Sequence, residues 1–241
     1  MKATLLIKNI ASLYTCDEEF TVLHDAFLAL KHDKILDLGT HGWKEYLDDS
    51  TTVIDGHGHC VIPALIDPCL CLPPEISASD KCYLENAAIH YMQKNGILSL
   101  VSPQPQMQYA SLQQQVYYRP RTAKNPIVSN LKEFILYGDD EFILSCKYHP
   151  AKNPVYSMMP LASCLYKNFD MSANTLLAAM TCRTAHVCRL KEIGSIQKGK
   201  QGDLLVIHSN TLDTFFQTEG ISLISHMIKR GIPIYPKLRR V

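Results

Sequence analysis

The chain has 241 residues, 46% hydrophobic and 20% charged, with Lys+Arg 24 against Asp+Glu 23. That is the make-up of a globular chain long enough to bury a real core, and near-neutral charge argues against a broad nucleic-acid footprint. No apolar run reaches the roughly 18–20 residues of a membrane span, and the start MKATLLIKNIASLYT lacks the apolar core of a signal peptide. Nine cysteines, an odd number, fit free thiols in a reducing compartment better than a disulfide framework, so the expected location is cytoplasmic. The closing basic residues Lys237, Arg239 and Arg240 read as a solvated end.

The first third reads as β. LLIKNIASLYT is an apolar run, and FLALKHDKILDLG reads as a hairpin turning at His32, Asp33 and Lys34. A short helical stretch is expected over Trp43–Leu47. In TTVIDGHGHCVIPALIDP, Gly56 and Gly58 mark a turn between a brief strand and a longer one. Cys60 to Asp67 is apolar on both faces, as expected of a strand covered on two sides.

Leu84, Ala87, Ala88, Tyr91 and Met92 recur at helical spacing, predicting a helix over 79–95 closed by Asn95 and Gly96. A strand over 96–101 then completes a βαβ unit, which points to a parallel sheet. The stretch 102–125 holds Pro103, Pro105 and Pro120 with Gln113, Gln114 and Gln115, and Pro126 follows it. It reads as a connector with a helix over 112–117. Further on, helices are predicted over 128–137, 157–166 and 172–189, and strands over 141–146, 203–208, 222–229 and 232–235. β segments thus open and close the chain around an α/β body.

Two motifs then stand out. VIPALIDP over 61–68 resembles the first barrel strand of the amidohydrolase superfamily, V-x-P-G-x-I-D followed by H-x-H. IGSIQKGKQGDLLVI over 193–207 resembles the same superfamily's G-S-x-x-x-G-K-x-A-D-L strand-turn-strand. Within that superfamily the chain looks most like the imidazolonepropionases. LSCKYHP over 144–150, SMMP over 157–160 and the helix MSANTLLAAMTCRTA from Met171 are similar to that family's S-T-D-x-N-P-G and S-M-P segments.

The resemblance implies a β-sandwich formed by both chain ends, residues 1–63 with 191–241, and a (β/α) barrel body over 64–190. It also implies a metal held by the H-x-H pair, a middle-strand His and a late Asp, making hydroxide from water to open an imidazolone ring. Those positions have changed here. Cys69 and Cys71 stand for the H-x-H pair, Lys147 for the Asp and His149 for the motif's Asn. An ammonium has no lone pair to give a cation. The body from Ala64 to Leu190 is about 127 residues, half the roughly 250 of a (β/α)₈ barrel. The expected fold is therefore α/β: a composite β-sandwich plus a truncated barrel remnant, its open edges inviting self-association.

The expected function is an inactive imidazolonepropionase-related homologue with a binding or scaffolding role, toward a small molecule or another copy of itself, with no nucleic-acid or membrane partner. No cofactor is expected. One alternative is an active hydrolase of cyclic amides with a Cys₂His zinc site from Cys69, Cys71 and His149. Another is a thiol enzyme in which the Lys147 ammonium favours a thiolate at Cys69 or Cys71. His57-Gly58-His59 imitates the missing H-x-H but reads as a β turn. About eight extended residues at roughly 3.3 Å put it about 25 Å from Pro68. Asp67 and Asp203 match family positions too, and Asp203 reads as structural.

Overall fold

The computed structural model describes residues 1–70, 78–102, 115–118, 125–137, 141–149, 152–218 and 220–236. Cys71, the basic end and most of the Pro/Gln-rich stretch lie outside the described residues. The chain divides into two compact units, Met1–Ala64 with Lys191–Val241, and Leu65–Leu190.

In chain order, β1 (Leu5–Tyr14) precedes a hairpin of β2 (Val22–Lys31) and β3 (Lys34–Gly39). A single 3₁₀ turn at Trp43–Tyr46 leads to β4 (Thr52–Pro63). The turn expected at Gly56 and Gly58 is instead a bulge within one continuous strand. Lys8 pairs with Asp55 and Ile10 with His59, so the residues between are pushed out of register. His57 (φ 50°) and Gly58 (φ 72°) take the left-handed turn of this bulge. A Cβ on Gly56 would lie 2.9 Å from the Lys8 carbonyl oxygen, so this glycine permits the close approach.

β5 (Leu65–Asp67), α1 (Ala78–Lys94) and β6 (Ile97–Ser102) follow, and β5 and β6 pair in parallel as the βαβ reading requires. Of the helix expected over 112–117, residues 115–117 lie in β7 (Gln115–Tyr118), parallel to β6, and 112–114 lie outside the described residues; the β-prone sequence QVYY prevails in a sheet setting. β8 (Ile127–Val128) occupies the start of the helix expected over 128–137, and α2 (Leu131–Tyr137) begins later. The Asn130 side chain accepts the Glu133 N–H at 3.0 Å, the local cap that delays the helix.

β9 (Ile143–Leu144) and α3 (Met159–Asn168) come next. The helix expected over 172–189 is two, α4 (Ala173–Met180) and α5 (Cys182–Val187). They part at Thr181, where φ is −133° and ψ is −98°. β10 (Leu204–Ile207), α6 (Leu212–Gln217), β11 (Ile224–Lys229) and β12 (Ile232–Tyr235) complete the chain. Sequence periodicity missed α6, a six-residue helix started by Thr211, whose hydroxyl accepts the Thr214 N–H.

In the first unit all seven strands form one sheet in the order β12-β11-β10-β4-β1-β2-β3, parallel only between β1 and β4. Hydrogen bonding links every described strand of this unit into that one sheet. That sheet curls. Leu30 and Ile35 from one side of the strand order share a core cluster with Leu204, Val206 and Ile228 from the other. The backbone joins the ends: Gly202 N–H donates to Asp33 O at 2.8 Å, and Gly231 N–H to Gly202 O at 2.9 Å.

Beneath this junction Lys229 Nζ and Asp203 Oδ2 lie 2.5 Å apart, with side chains only 2% and 4% exposed. Asp203 also accepts from Gln201 Nε2 at 2.7 Å and from the Arg230 N–H at 2.8 Å. Burial pulls the Lys229 ammonium below its usual range, and Asp203 opposes that pull.

In the second unit every described strand pair is parallel, in sheets β5-β6-β7 and β8-β9. Ala88 and Met92 of α1 are buried, as are Leu176, Leu177 and Met180 of α4, and α4 and α5 pack on β9 and β5. Among the described residues no helix is long and apolar enough to cross a membrane.

Replacing Lys229 with Met strands a buried Asp203 carboxylate and should cost about 3–5 kcal/mol of stability. The double variant Asp203→Asn with Lys229→Met should recover a large part of it. Urea denaturation of both variants checks this; equal losses would mean the pair itself is not what stabilises the junction.

Candidate functional site

The site grows from the end of β5. The apolar run ending in LID delivers Asp67 into the interior, where it is fully buried. Its Oδ1 accepts the Cys69 N–H and the Ser145 hydroxyl, each at 2.8 Å, and Oδ2 accepts the Cys146 N–H at 2.7 Å. One carboxyl thereby closes the turn after β5 and clasps the segment that follows β9. Among the described residues Asp67 forms no ion pair. Burial raises its pKa, against the lowering effect of hydrogen bonds from Cys69, Cys146 and Ser145.

Lys147 is the next element of the clasp. Its backbone is left-handed (φ 41°), and its N–H donates to Ser145 Oγ at 2.9 Å. The ammonium turns to Glu133 on α2, with Nζ 2.7 Å from Oε1. Oε2 of the same carboxylate accepts the Ser129 N–H at 2.8 Å and its hydroxyl at 3.0 Å. Partial burial raises the Glu133 pKa, but the bonds from Lys147 and Ser129 outweigh it and hold the carboxyl below its ordinary value.

His149 sits two residues on, exchanging backbone hydrogen bonds with Asn153 at 3.0 and 2.9 Å. Its Nδ1 accepts the Lys152 N–H at 3.1 Å. The Asn153 side chain donates to the Cys146 carbonyl at 2.8 Å, pinning the loop onto the clasp. Cys146 is buried, and burial first, then the Asp67 carboxyl, pushes its thiol well above the usual range. It is a neutral thiol at physiological pH. Cys69 is half-buried.

Asp67 therefore brings the backbones of Cys69 and Cys146 onto one carboxyl, with Lys147 next in the chain and His149 on the loop beyond. Among the described residues no three His, Cys, Asp or Glu side chains gather as metal ligands do. Sequence reasoning missed the parts played by Asp67, Ser145 and Glu133. A signal for Glu133 existed: Asn130 and Glu133 stand at capping-box spacing before the apolar residues of α2. Chemically the arrangement is a hydrogen-bonded clasp with one paired ammonium and no exposed base among its members.

Asp67→Ala leaves two buried N–H groups and a hydroxyl without their acceptor and should cost about 3 kcal/mol. The pH dependence has a definite sign. A carboxyl whose pKa is raised by folding keeps its proton in the native state after the unfolded chain has released its own. Stability should therefore fall as pH rises from about 4 through the raised native value. Urea titrations across that range should show this slope in the native protein and lose it in Asp67→Asn.

No family model matches the chain. The imidazolonepropionase of Thermoanaerobacter pseudethanolicus is 34% identical over 87 residues, 36% of this chain and 21% of that protein. That of Treponema denticola is 29% identical over 119 residues, 48% of this chain and 28% of that protein. The chain thus matches these relatives over less than a third of their length. Among solved structures, an enamidase described as a member of the amidohydrolase superfamily aligns with a TM-score of 0.71 at 13% identity, covering 95% of each chain. An adenosine deaminase from Xanthomonas campestris with bound zinc aligns with a TM-score of 0.67 at 10% identity, covering 96% of this chain and 93% of that one. At such identities these alignments speak for the fold. Over the matched residues the chain is similar to imidazolonepropionases, and its fold is like that of the aligned enamidase.

Proposed function

We propose that this protein has kept the amidohydrolase scaffold without its metal-dependent hydrolysis, and acts by binding a small molecule or a second copy of itself. On this reading the curled sheet is the composite β domain of the superfamily, and the parallel strands of residues 65–190 are a shortened barrel. The observation that carries it is the Lys147–Glu133 ion pair, 2.7 Å long, at the place where the family resemblance puts a metal-binding Asp. An ammonium repels a cation and offers no lone pair. The residue matching the first His of the family pair is Cys69, and the Asp67 carboxyl is occupied by three protein donors. These residues do not fit the ion that the family uses, so no hydrolytic step is assigned to them.

Self-association belongs to the same reading. Among the described residues the parallel sheet β5-β6-β7 ends on strands that a second chain could extend or cover.

Elemental analysis of the purified protein, beside Cys69→Ser and Cys71→Ser, tests the first part. The expected result is no stoichiometric metal and no turnover of an imidazolone substrate. About one zinc per chain, lost in both variants, would overturn the proposal in favour of a cyclic-amide hydrolase with a Cys₂His site. Light scattering tests the second part: a strictly monomeric mass at every concentration would remove self-association.

A further inference from the structure

Histidines that the candidate site does not use gather on one patch of the first unit. β4 carries His57 and His59, His208 follows β10, and His226 lies on β11. The pairing of Cys60 with Ile207 sets His59 beside His208, and the pairing of Val206 with His226 brings in the third strand. The rings of His59 and His208 lie tilted at 43° with centroids 4.3 Å apart, and the His57 ring stands 6.2 Å from that of His59. His59 and His226 are half-buried, whereas His57 and His208 are exposed. The flanking backbone is tied by bonds from Cys60 N–H to Ser209 O and from His208 N–H to Leu223 O, each 2.6 Å.

The surrounding charges do not balance this patch. Asp55 lies 3.7 Å from His57 Nδ1, but it also meets Lys8 at 3.6 Å and the Asn9 amide at 2.8 Å. From β1 and β2, Ser12 engages His24, and Tyr14 takes the Leu212 N–H from α6. Asp213 of α6 acts on Cys60 and Tyr14. Burial, then Asp213, pushes the Cys60 thiol up to about 12, so it stays neutral. Among the described residues no carboxylate forms an ion pair with His59, His208 or His226.

We propose that this patch is an acid-responsive latch, in which neutral imidazoles hold β4 against β10 and protonation of neighbouring rings drives the strands apart. Two cations with ring centroids 4.3 Å apart repel, and among the described residues no carboxylate forms an ion pair with His59 or His208. Burial, and then the neighbouring His208, His57 and His226, lowers the His59 pKa; burial, then His57, lowers that of His226. The unfolded chain therefore takes up protons first as pH falls below about 6.5. The stability of this unit is lost as pH drops from there through the lowered native values.

The experiment is hydrogen exchange at the Cys60 and His208 amides from about pH 8 to about pH 5, corrected for the intrinsic rate. Protection should fall by roughly tenfold for each unit of pKa depression. His208→Gln should flatten that dependence, and His41→Gln, at an exposed histidine outside the patch, should leave it unchanged. Equal pH dependence in the native protein and His208→Gln would overturn the proposal. So would a proton NMR titration of native His59 at the value of a free imidazole, a readout that needs no variant to fold.

Discussion

A carboxyl sealed from water, with three protein donors around it and no ion-pair partner among the described residues, governs the candidate site. Asp67 must have those donors, because a buried oxygen without them would lose its hydration uncompensated. The donors come from both sides of the site, Cys69 just after β5 and Ser145 with Cys146 just after β9. Satisfying one side chain therefore fixes where two separate segments meet. Lys147 and His149 then take their places as residues carried by the clasped segment.

The first unit solves the same physical problem in another way. Asp203 is also buried, but it has a buried ammonium beside it in addition to its hydrogen bonds. Its role is to anchor the junction at which the curled sheet meets itself, where Gly202 bonds to Asp33 and Gly231 to Gly202. A Cβ on Gly231 would sit 1.8 Å from the His32 carbonyl oxygen, so backbone contact of this kind requires a glycine there. Both carboxyls organise turns at strand ends. Only the surroundings differ, and the surroundings set whether charge or hydrogen bonding carries the load.

These structural constraints are separable from any chemistry at the site. The Asp67 clasp needs a carboxyl, a hydroxyl and backbone N–H groups, and none of these requires a metal. The Lys147–Glu133 pair fills the space beside it with a neutralised charge, which a partly exposed site accommodates at little cost. The clasp is polar, and its Asp67 and Glu133 carboxyls are satisfied by protein donors.

The sequence by itself determined the β–α/β–β order, the βαβ unit of β5, α1 and β6, the hairpin at His32 and Asp33, and the resemblance to the amidohydrolase superfamily. These follow from local periodicity, from turn residues and from two motifs whose spacing is short-range. It also showed Cys69, Cys71 and Lys147 where the resemblance leads one to expect metal ligands, because residue identity alone suffices for that comparison. Tertiary structure decided what depends on partners distant in the chain. The glycines of β4 make a bulge because β1 lies alongside, and QVYY is a strand because β6 is its neighbour. Lys147 is neutralised because α2 presents Glu133, and Asp67 becomes the centre of the site because Ser145 and Cys146 reach it from 78 and 79 residues away. A hydrogen bond over that separation leaves no periodic trace in the sequence, since it is made by the fold and not by neighbours in the chain.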